Sequence, residues 1–157
     1  MDTAVPHERR IVVGVDGSSP SKRALRWALG QAAATGAMVE AVICWRFPKV
    51  YGWAPASVDR ELGTVAGRML AQAVAEITTD DEPVEIRQIV ESGHPAEVLL
   101  ERAHGAELLV VGNRGLGGFA GTLLGSVGQH CVQHAPCPVV VVPRRPGLTA
   151  GAGFPDL

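Results

Sequence analysis

The sequence predicts an α/β protein with a doubly wound, five-stranded, mainly parallel sheet and helices on both faces. Five short apolar runs alternate with stretches whose apolar residues recur at helical spacing. Most of these runs are continuously apolar, which is typical of strands buried on both faces of a parallel sheet. Turns rich in glycine, proline, serine and aspartate separate the runs and indicate where the elements begin and end.

The first half of the chain contains two predicted strands, over residues 11–16 and 38–45. The serines of the turn at 16–20 can cap a helix that has Pro20 in its first turn. That helix ends at Thr35-Gly36, and its buried stripe is expected to comprise Ala24, Leu25, Ala28, Leu29 and Ala32. The aromatic loop at 46–57 forms either a lid or partner-facing patch, or a simple cover over the sheet edge.

The second half continues the alternation. A long helix follows the aromatic loop, with an expected buried stripe of Leu62, Val65, Ala66, Met69, Leu70, Ala73 and Ile77. A strand with alternating burial is predicted at 84–90, and a helix should begin at Gly93-His94-Pro95, with His94 as its cap. The fourth and fifth strands are predicted at 108–111 and 139–142, with a helix from Gly125-Ser126 to about His134 between them.

Length and composition narrow the class of protein. The 157 residues fit a single domain at 10–143, with a flexible stretch at 1–9 and a disordered tail at 144–157. A net charge of −2 without a dense basic stripe argues against nucleic acid as a partner. Three cysteines suit a reduced intracellular protein, and no apolar run approaches the roughly 20 residues of a membrane helix. We therefore expect a cytoplasmic protein with no membrane partner.

The stretch from residue 108 to 135 carries the main functional signal. An apolar strand leads into a loop that contains Gly112, Gly115, Gly117, Gly118 and Gly121, and Gly125-Ser126 then begins a helix. Backbone N–H groups in such a loop, together with the first turn of the helix, form a cradle for phosphate. Glycines also serve ordinary turns, so the loop by itself leaves both interpretations open.

A second part of the chain points to the same place. Asp16 ends the first strand and Gly112 ends the fourth, and ligands of doubly wound sheets bind beyond the carboxyl ends of strands. If these strands are neighbours, Asp16 and the cradle share one crevice, and Gly14 lets a flat ring approach the backbone. Asp16 could instead serve only the turn, and Ser126 is expected to act as an N-cap in either case.

With these motifs in place, the chain resembles the universal stress protein family, in particular its ATP-binding branch, over roughly residues 10–143. The resemblance is carried by Ile-Val-Val-Gly-Val-Asp-Gly-Ser at 11–18, by Gly-His-Pro-Ala at 93–96, and by the spacing Gly-x2-Gly-x9-Gly-Ser from Gly112 to Ser126. Asn113 stands where the family usually has serine. The resemblance implies an adenine nucleotide alpha hydrolase-like fold and a nucleotide-binding stress-response or regulatory protein.

The resemblance also implies roles for individual residues. Asp16 would bind the ribose or the base edge, and Gly14, Val15 and Cys44 would line the adenine. The sugar and phosphates would be bounded by Gly112, Asn113, Arg114, Gly115, Gly117, Gly118, Gly125, Ser126 and Val127. The implied ligand is ATP or another adenine nucleotide, with any Mg²⁺ held mainly by its phosphates. The family further implies a homodimer through Val139–Val142, and an apolar edge strand invites such pairing. The regulatory partner stays unknown.

Catalysis and a protein-held metal receive less support. Asp16 is the only carboxylate that the argument places near the cradle, and no Gly-Lys-Ser/Thr ending or Gly-x-Ser-x-Gly elbow is present. Slow ATP hydrolysis in the same pocket and a dimerisation module that binds no nucleotide stay open as alternatives. His130 and His134 share a helix face, but Cys131 and Cys137 are poorly placed to complete a zinc site, so we expect none.

Overall fold

The computed structural model describes residues 8–46, 56–114 and 124–143. Within these ranges, five strands and four helices alternate along the chain. The strands are β1 (Arg10–Gly14), β2 (Met38–Trp45), β3 (Ile86–Ser92), β4 (Leu108–Gly112) and β5 (Val139–Val142). The helices are α1 (Ser19–Thr35), α2 (Ala56–Ile77), α3 (Pro95–Arg102) and α4 (Ser126–His134).

The sheet has the order β3-β2-β1-β4-β5, and every neighbouring pair is parallel. The chain therefore runs outward from β1 to β3, returns across the sheet to β4, and continues outward to β5. β1 and β4 lie side by side at the point where the strand order reverses. The predicted fold class is confirmed, and so is the condition that brings Asp16 and Gly112 to one crevice.

Two apolar cores lie on opposite faces of this sheet because successive strand residues point to opposite sides. Ile11 and Val13 pack into the core that includes residues of α1 and α2. Val12 instead packs with Leu99 of α3 and Cys131 of α4. Helices cover both faces, as a continuously apolar strand requires.

Helix α1 begins and ends as its sequence predicts. The Ser18 side chain caps its first turn by accepting from the Ser21 amide, and Pro20 follows in that turn. Gly36 ends the helix in the left-handed conformation, with φ of 77°, and its N–H donates to Ala32 O. The turn that leads into this start contains Asp16.

Two sequence predictions about β3 and α2 are wrong in detail. β3 covers Ile86–Ser92 rather than 84–90, and the expected alternation holds at Val84 and Ile86, which lie between exposed neighbours, but ends at the exposed Gln88. α2 begins at Ala56, earlier than its apolar stripe indicates. Val65 and Met69 were expected inside but are 52% and 38% exposed, since α2 contacts the core through a narrower face.

Several expectations fall outside the described residues. The aromatic loop lies almost entirely at 47–55, and the terminal stretches lie largely at 1–7 and 144–157. None of the helices in the described ranges combines the length and the apolar character needed to cross a bilayer.

Candidate functional site

An open cavity of about 280 Å³ lies at the carboxyl ends of β1, β2 and β4. Its walls come from the turns after β1 and β4 and from the first turns of three helices. The residues that line it are Gly14, Val15, Asp16, Ser21, Val42, Cys44, Pro95, Leu99, Val111, Gly112, Arg114, Gly125, Ser126, Val127 and Gly128. This edge of a doubly wound sheet, at the reversal of strand order, is where ligands bind in such folds.

The structure brings most of the predicted site residues together. Those that line the cavity are Gly14, Val15, Asp16, Cys44, Gly112, Arg114, Gly125, Ser126 and Val127. Asn113 is not among the lining residues. Gly115, Gly117 and Gly118 lie outside the described residues, so their expected contact with phosphate stays a prediction.

Sequence reasoning missed six lining residues: Ser21, Val42, Pro95, Leu99, Val111 and Gly128. Leu99 lies in α3 and Val111 in the predicted fourth strand, and both are apolar, so the sequence indicates only a position in the core for each. Ser21 and Pro95 lie in the first turns of helices that follow β1 and β3. A signal was available, because helices that follow parallel strands all begin at the carboxyl edge of the sheet.

Asp16 forms part of a hydrogen-bonded turn that leads into α1. Its Oδ1 accepts from the Ser18 amide at 2.9 Å and also from the Ser18 hydroxyl. Its own N–H donates to Ser21 Oγ at 3.2 Å. The carboxylate therefore has a structural function in the turn, and the same residue lies on the cavity wall.

The two ends of the glycine-rich segment are joined by backbone hydrogen bonds through Asn113. The Gly125 amide donates to Asn113 O at 2.8 Å, and the Asn113 amide donates to Val142 O at 3.2 Å. The Asn113 side-chain oxygen forms no such link, since Oδ1 is buried and no hydrogen-bond partner for it occurs in the described part of the chain. Asn113 thus supports the site through its peptide groups, which connect α4 to β4 and β5.

The start of α4 differs from the sequence expectation. Ser126 was expected to cap this helix, but the N-cap is Gly125, which has no side chain that could make a capping hydrogen bond. Ser126 is instead the first helical residue, and it is exposed. The N-cap residue therefore leaves the first-turn amides of α4 uncapped beside the cavity, where a helix N-terminus favours negative charge.

Gly14 makes room for a protein side chain. A Cβ at this position would lie 2.8 Å from Leu99 Cδ1, so the missing side chain lets α3 pack against β1. Leu99 is buried, and together with Val42 it gives the cavity an apolar wall. The expected approach of a flat ring to Gly14 stays a prediction, since the close neighbour seen in the structure is Leu99.

Cys44 contributes a neutral, weakly polar wall. Burial raises the pKa of its thiol to about 11, and the negative charge of Glu91 adds to the rise while Arg102 opposes it. Arg102 Nη1 binds Glu40 at 2.7 Å and its Nη2 binds Glu91, which joins α3 to β2 and β3. The thiol is therefore protonated at neutral pH and suited to packing rather than to nucleophilic attack.

The four side chains considered as a zinc site do not form one; they are those of His130, Cys131, His134 and Cys137. The imidazole rings of His130 and His134 lie next to each other on α4, with their centroids 4.8 Å apart and their planes tilted by 49°. Within residues 8–46, 56–114 and 124–143, no group of three or more His, Cys, Asp or Glu side chains is placed to hold a metal ion. Among the described residues that line the main cavity, the side chains that carry a charge at neutral pH are those of Asp16 and Arg114.

The fold and cavity together define an open, parallel α/β protein with an anion-favouring crevice at its switch point. A sequence model of the universal stress protein family matches residues 8–143. The chain belongs to the universal stress protein family.

Relatives and solved structures agree with this assignment. The chain is 36% identical over 150 residues to universal stress protein Rv2623 of Mycobacterium tuberculosis, covering 94% of this chain and 50% of the relative. The chain thus spans about half the length of the curated relatives it matches. A universal stress protein solved in complex with cAMP is 32% identical to this chain, with a TM-score of 0.65. The match covers 85% of this chain and 96% of that chain. Universal stress protein UspA from Lactobacillus plantarum shares the fold at 22% identity, with a TM-score of 0.67. That match covers 86% of this chain and 97% of the other.

Proposed function

We propose that this protein is a stress-response or regulatory protein that binds an adenine nucleotide, ATP being the expected ligand, in the cavity beyond β1 and β4. The observation that carries the proposal is that the Asp16 turn and the start of α4, whose N-cap is a glycine, line the same cavity. A carboxylate can accept from sugar hydroxyls, and unsatisfied helix amides can donate to phosphate oxygens.

The chemistry of the walls supports a nucleotide in a defined orientation. Val15, Val42, Cys44 and Leu99 provide an apolar region suited to a base. Arg114 and the backbone from Gly125 to Gly128 provide positive charge and N–H donors suited to phosphate. At about 280 Å³, the cavity lies just below the roughly 300–1,000 Å³ that small-molecule sites occupy.

The relative in complex with cAMP supports a ligand of this class, since it is 32% identical and shares the fold. The nucleotide could carry Mg²⁺ on its phosphates, because Mg²⁺ is usually bound by one or two carboxylates together with substrate phosphates. Asp16 is the carboxylate that the described lining offers for that purpose.

The proposal includes a homodimer and a reducing compartment. β5 lies at the edge of the sheet in the described chain, and its four valines are half-buried, which invites pairing with a second copy. Cys44, Cys131 and Cys137 are free thiols, which is typical of cytoplasmic proteins. Because the curated relatives are about twice as long, the regulatory partner is left open.

Calorimetric titration with ATP, ADP, AMP and cAMP tests the proposal, alongside mass spectrometry of small molecules released by denaturing the purified protein. We expect micromolar or tighter binding of at least one of these nucleotides, and at least tenfold weaker binding by Asp16→Ala. Ser19→Ala is the matched control, because Ser19 is exposed in the same turn and does not line the cavity. Absence of both bound and titratable nucleotide would refute the function.

A slow ATPase reaction in the same pocket is a separate question. Sustained phosphate release that Asp16→Asn abolishes, while nucleotide binding persists, would identify hydrolysis. A protein that dimerises but neither retains nor binds nucleotide would instead be a dimerisation module.

A further inference from the structure

Ser21 is a buried polar residue on the wall of the cavity. It is 4% exposed and lies in the first turn of α1. Its hydroxyl donates to Ser18 O at 2.9 Å and accepts from the Asp16 N–H at 3.2 Å. One donor and one acceptor function of the hydroxyl are therefore already used inside the turn.

Ser18 and Ser21 are also linked to each other and to the Asp16 carboxylate by hydrogen bonds. The Ser21 amide donates to Ser18 Oγ at 3.3 Å, and the Ser18 hydroxyl in turn binds Asp16 Oδ1. The Ser18 amide binds the same Oδ1 at 2.9 Å. Ser21 thus fixes the backbone of Asp16 directly and orients the side chain through Ser18.

We propose that Ser21 is a positioning residue that holds Asp16 in the orientation needed to bind the sugar hydroxyls of the nucleotide. This inference rests on the proposed function. Without the Ser21 hydroxyl, the partly buried Asp16 N–H would lose its acceptor, and the turn would relax to satisfy it. Asp16 N–H and Ser18 O would both lose their contact with Ser21 Oγ, so the backbone that orients the carboxylate would shift, although Ser18 still binds Asp16 Oδ1 and the charge is unchanged.

The test measures the affinities for AMP and for 2′,3′-dideoxy-AMP, which lacks both sugar hydroxyls. Because Ser21 acts through a neutral hydrogen bond, we expect Ser21→Ala to bind AMP about 10-fold more weakly. Its affinity for the dideoxy probe should be nearly unchanged. In an Asp16→Ala background, Ser21→Ala should cause no further loss, since the group it positions is gone. Ser19→Ala should behave as wild type.

Three outcomes would overturn the inference. In the first, Ser21→Ala binds AMP as tightly as the wild type while Asp16→Ala binds it more weakly. In the second, Ser21→Ala lowers the affinities for AMP and for dideoxy-AMP equally. In the third, Ser21→Ala still lowers the AMP affinity in the Asp16→Ala background. If Ser21→Ala fails to fold, Ser21→Cys preserves the volume with a much weaker hydrogen-bonding group and is read in the same way. Failure of the proposed function looks different, because the wild-type protein would then bind none of ATP, ADP, AMP and cAMP.

Discussion

Gly112 shows how a single residue shapes the cavity. A Cβ on Gly112 would lie 2.8 Å from both the carbonyl carbon and the carbonyl oxygen of Pro20. The end of β4 can therefore approach the start of α1 only because position 112 has no side chain. This close approach brings the loop after β4 next to the turn that contains Asp16.

Replacing Gly112 with alanine should destabilise the protein, because backbone atoms of Pro20 cannot move aside as a flexible side chain could. We expect a loss of about 1–3 kcal/mol in the free energy of unfolding, as is typical of overpacking. Gly30→Ala is the matched control, since its Cβ would meet nothing within 4 Å inside α1. Alanine there should stabilise the helix by up to ~1 kcal/mol. Urea denaturation measures both, and equal effects would contradict this account.

The raised pKa of Cys44 predicts how its thiol responds to pH. The thiol ionises near its ordinary pKa of 9.0 in the unfolded chain and at about 11 in the folded protein. Below pH 9 both states keep the proton, so stability is unaffected there. From pH 9 to 11 the unfolded state loses its proton first, so the free energy of unfolding falls.

The measurement is the rate of alkylation by iodoacetamide in a Cys131→Ala, Cys137→Ala variant. At pH 8 the folded protein should react about 100-fold more slowly than the urea-unfolded chain, because two pKa units separate the thiolate fractions. The difference should shrink as the pH approaches 11. Similar rates for folded and unfolded protein at pH 8 would show that burial does not protect the thiol.

At the scale of elements, three helices begin at the cavity edge, and their first turns differ in one respect. The Ser18 side chain caps α1, and His94 Nδ1 caps α3 by accepting from the Ala96 amide. The N-cap of helix α4 is Gly125, which has no side chain to cap the first turn. Its first-turn amides are therefore better suited than those of α1 and α3 to bind an anionic ligand.

Introducing a negative charge at the start of α4 should raise the stability of the protein and lower its affinity for nucleotide. Ser126→Glu places a carboxylate in the first turn, which should stabilise the helix by about 0.3–1 kcal/mol through the helix dipole. The same charge should repel a phosphate and weaken nucleotide binding. Ser126→Gln is the neutral control of similar size. Thermal unfolding and calorimetric titration measure the two effects, and unchanged affinity in Ser126→Glu would place the phosphate elsewhere.

At the scale of the whole molecule, the outer edge of β5 determines how a second copy can bind. The carbonyls of Pro138 and Val142 accept from amides of Leu109 and Asn113 on the β4 side. Because backbone groups alternate in direction along a strand, the amide of Val141 points away from β4. The edge therefore presents an N–H donor where a partner strand would pair.

Val141→Pro should convert the expected dimer to a monomer, because proline removes that outward N–H and leaves the β4 side of the strand intact. Val141→Thr is the control, since it keeps the amide and nearly the same shape. Sedimentation equilibrium should give a dimer for the wild type and for Val141→Thr, and a monomer for Val141→Pro. A monomeric wild type, or a dimeric Val141→Pro, would contradict pairing through β5.

The sequence by itself determined the alternation of strands and helices, the capped start of α1 after Asp16, and the placement of Asp16 and Gly112 at the carboxyl ends of their strands; that β1 and β4 are neighbours came from the structure. Periodicity and turn residues report local backbone preference and the buried face of each element, so these features are readable in short stretches. Only the tertiary structure decided that Gly14 accommodates Leu99, that Ser126 does not cap α4, and that Ser21 holds Asp16 at the cavity wall. These contacts depend on how separate segments pack and on exact backbone geometry, which local residue preferences do not encode.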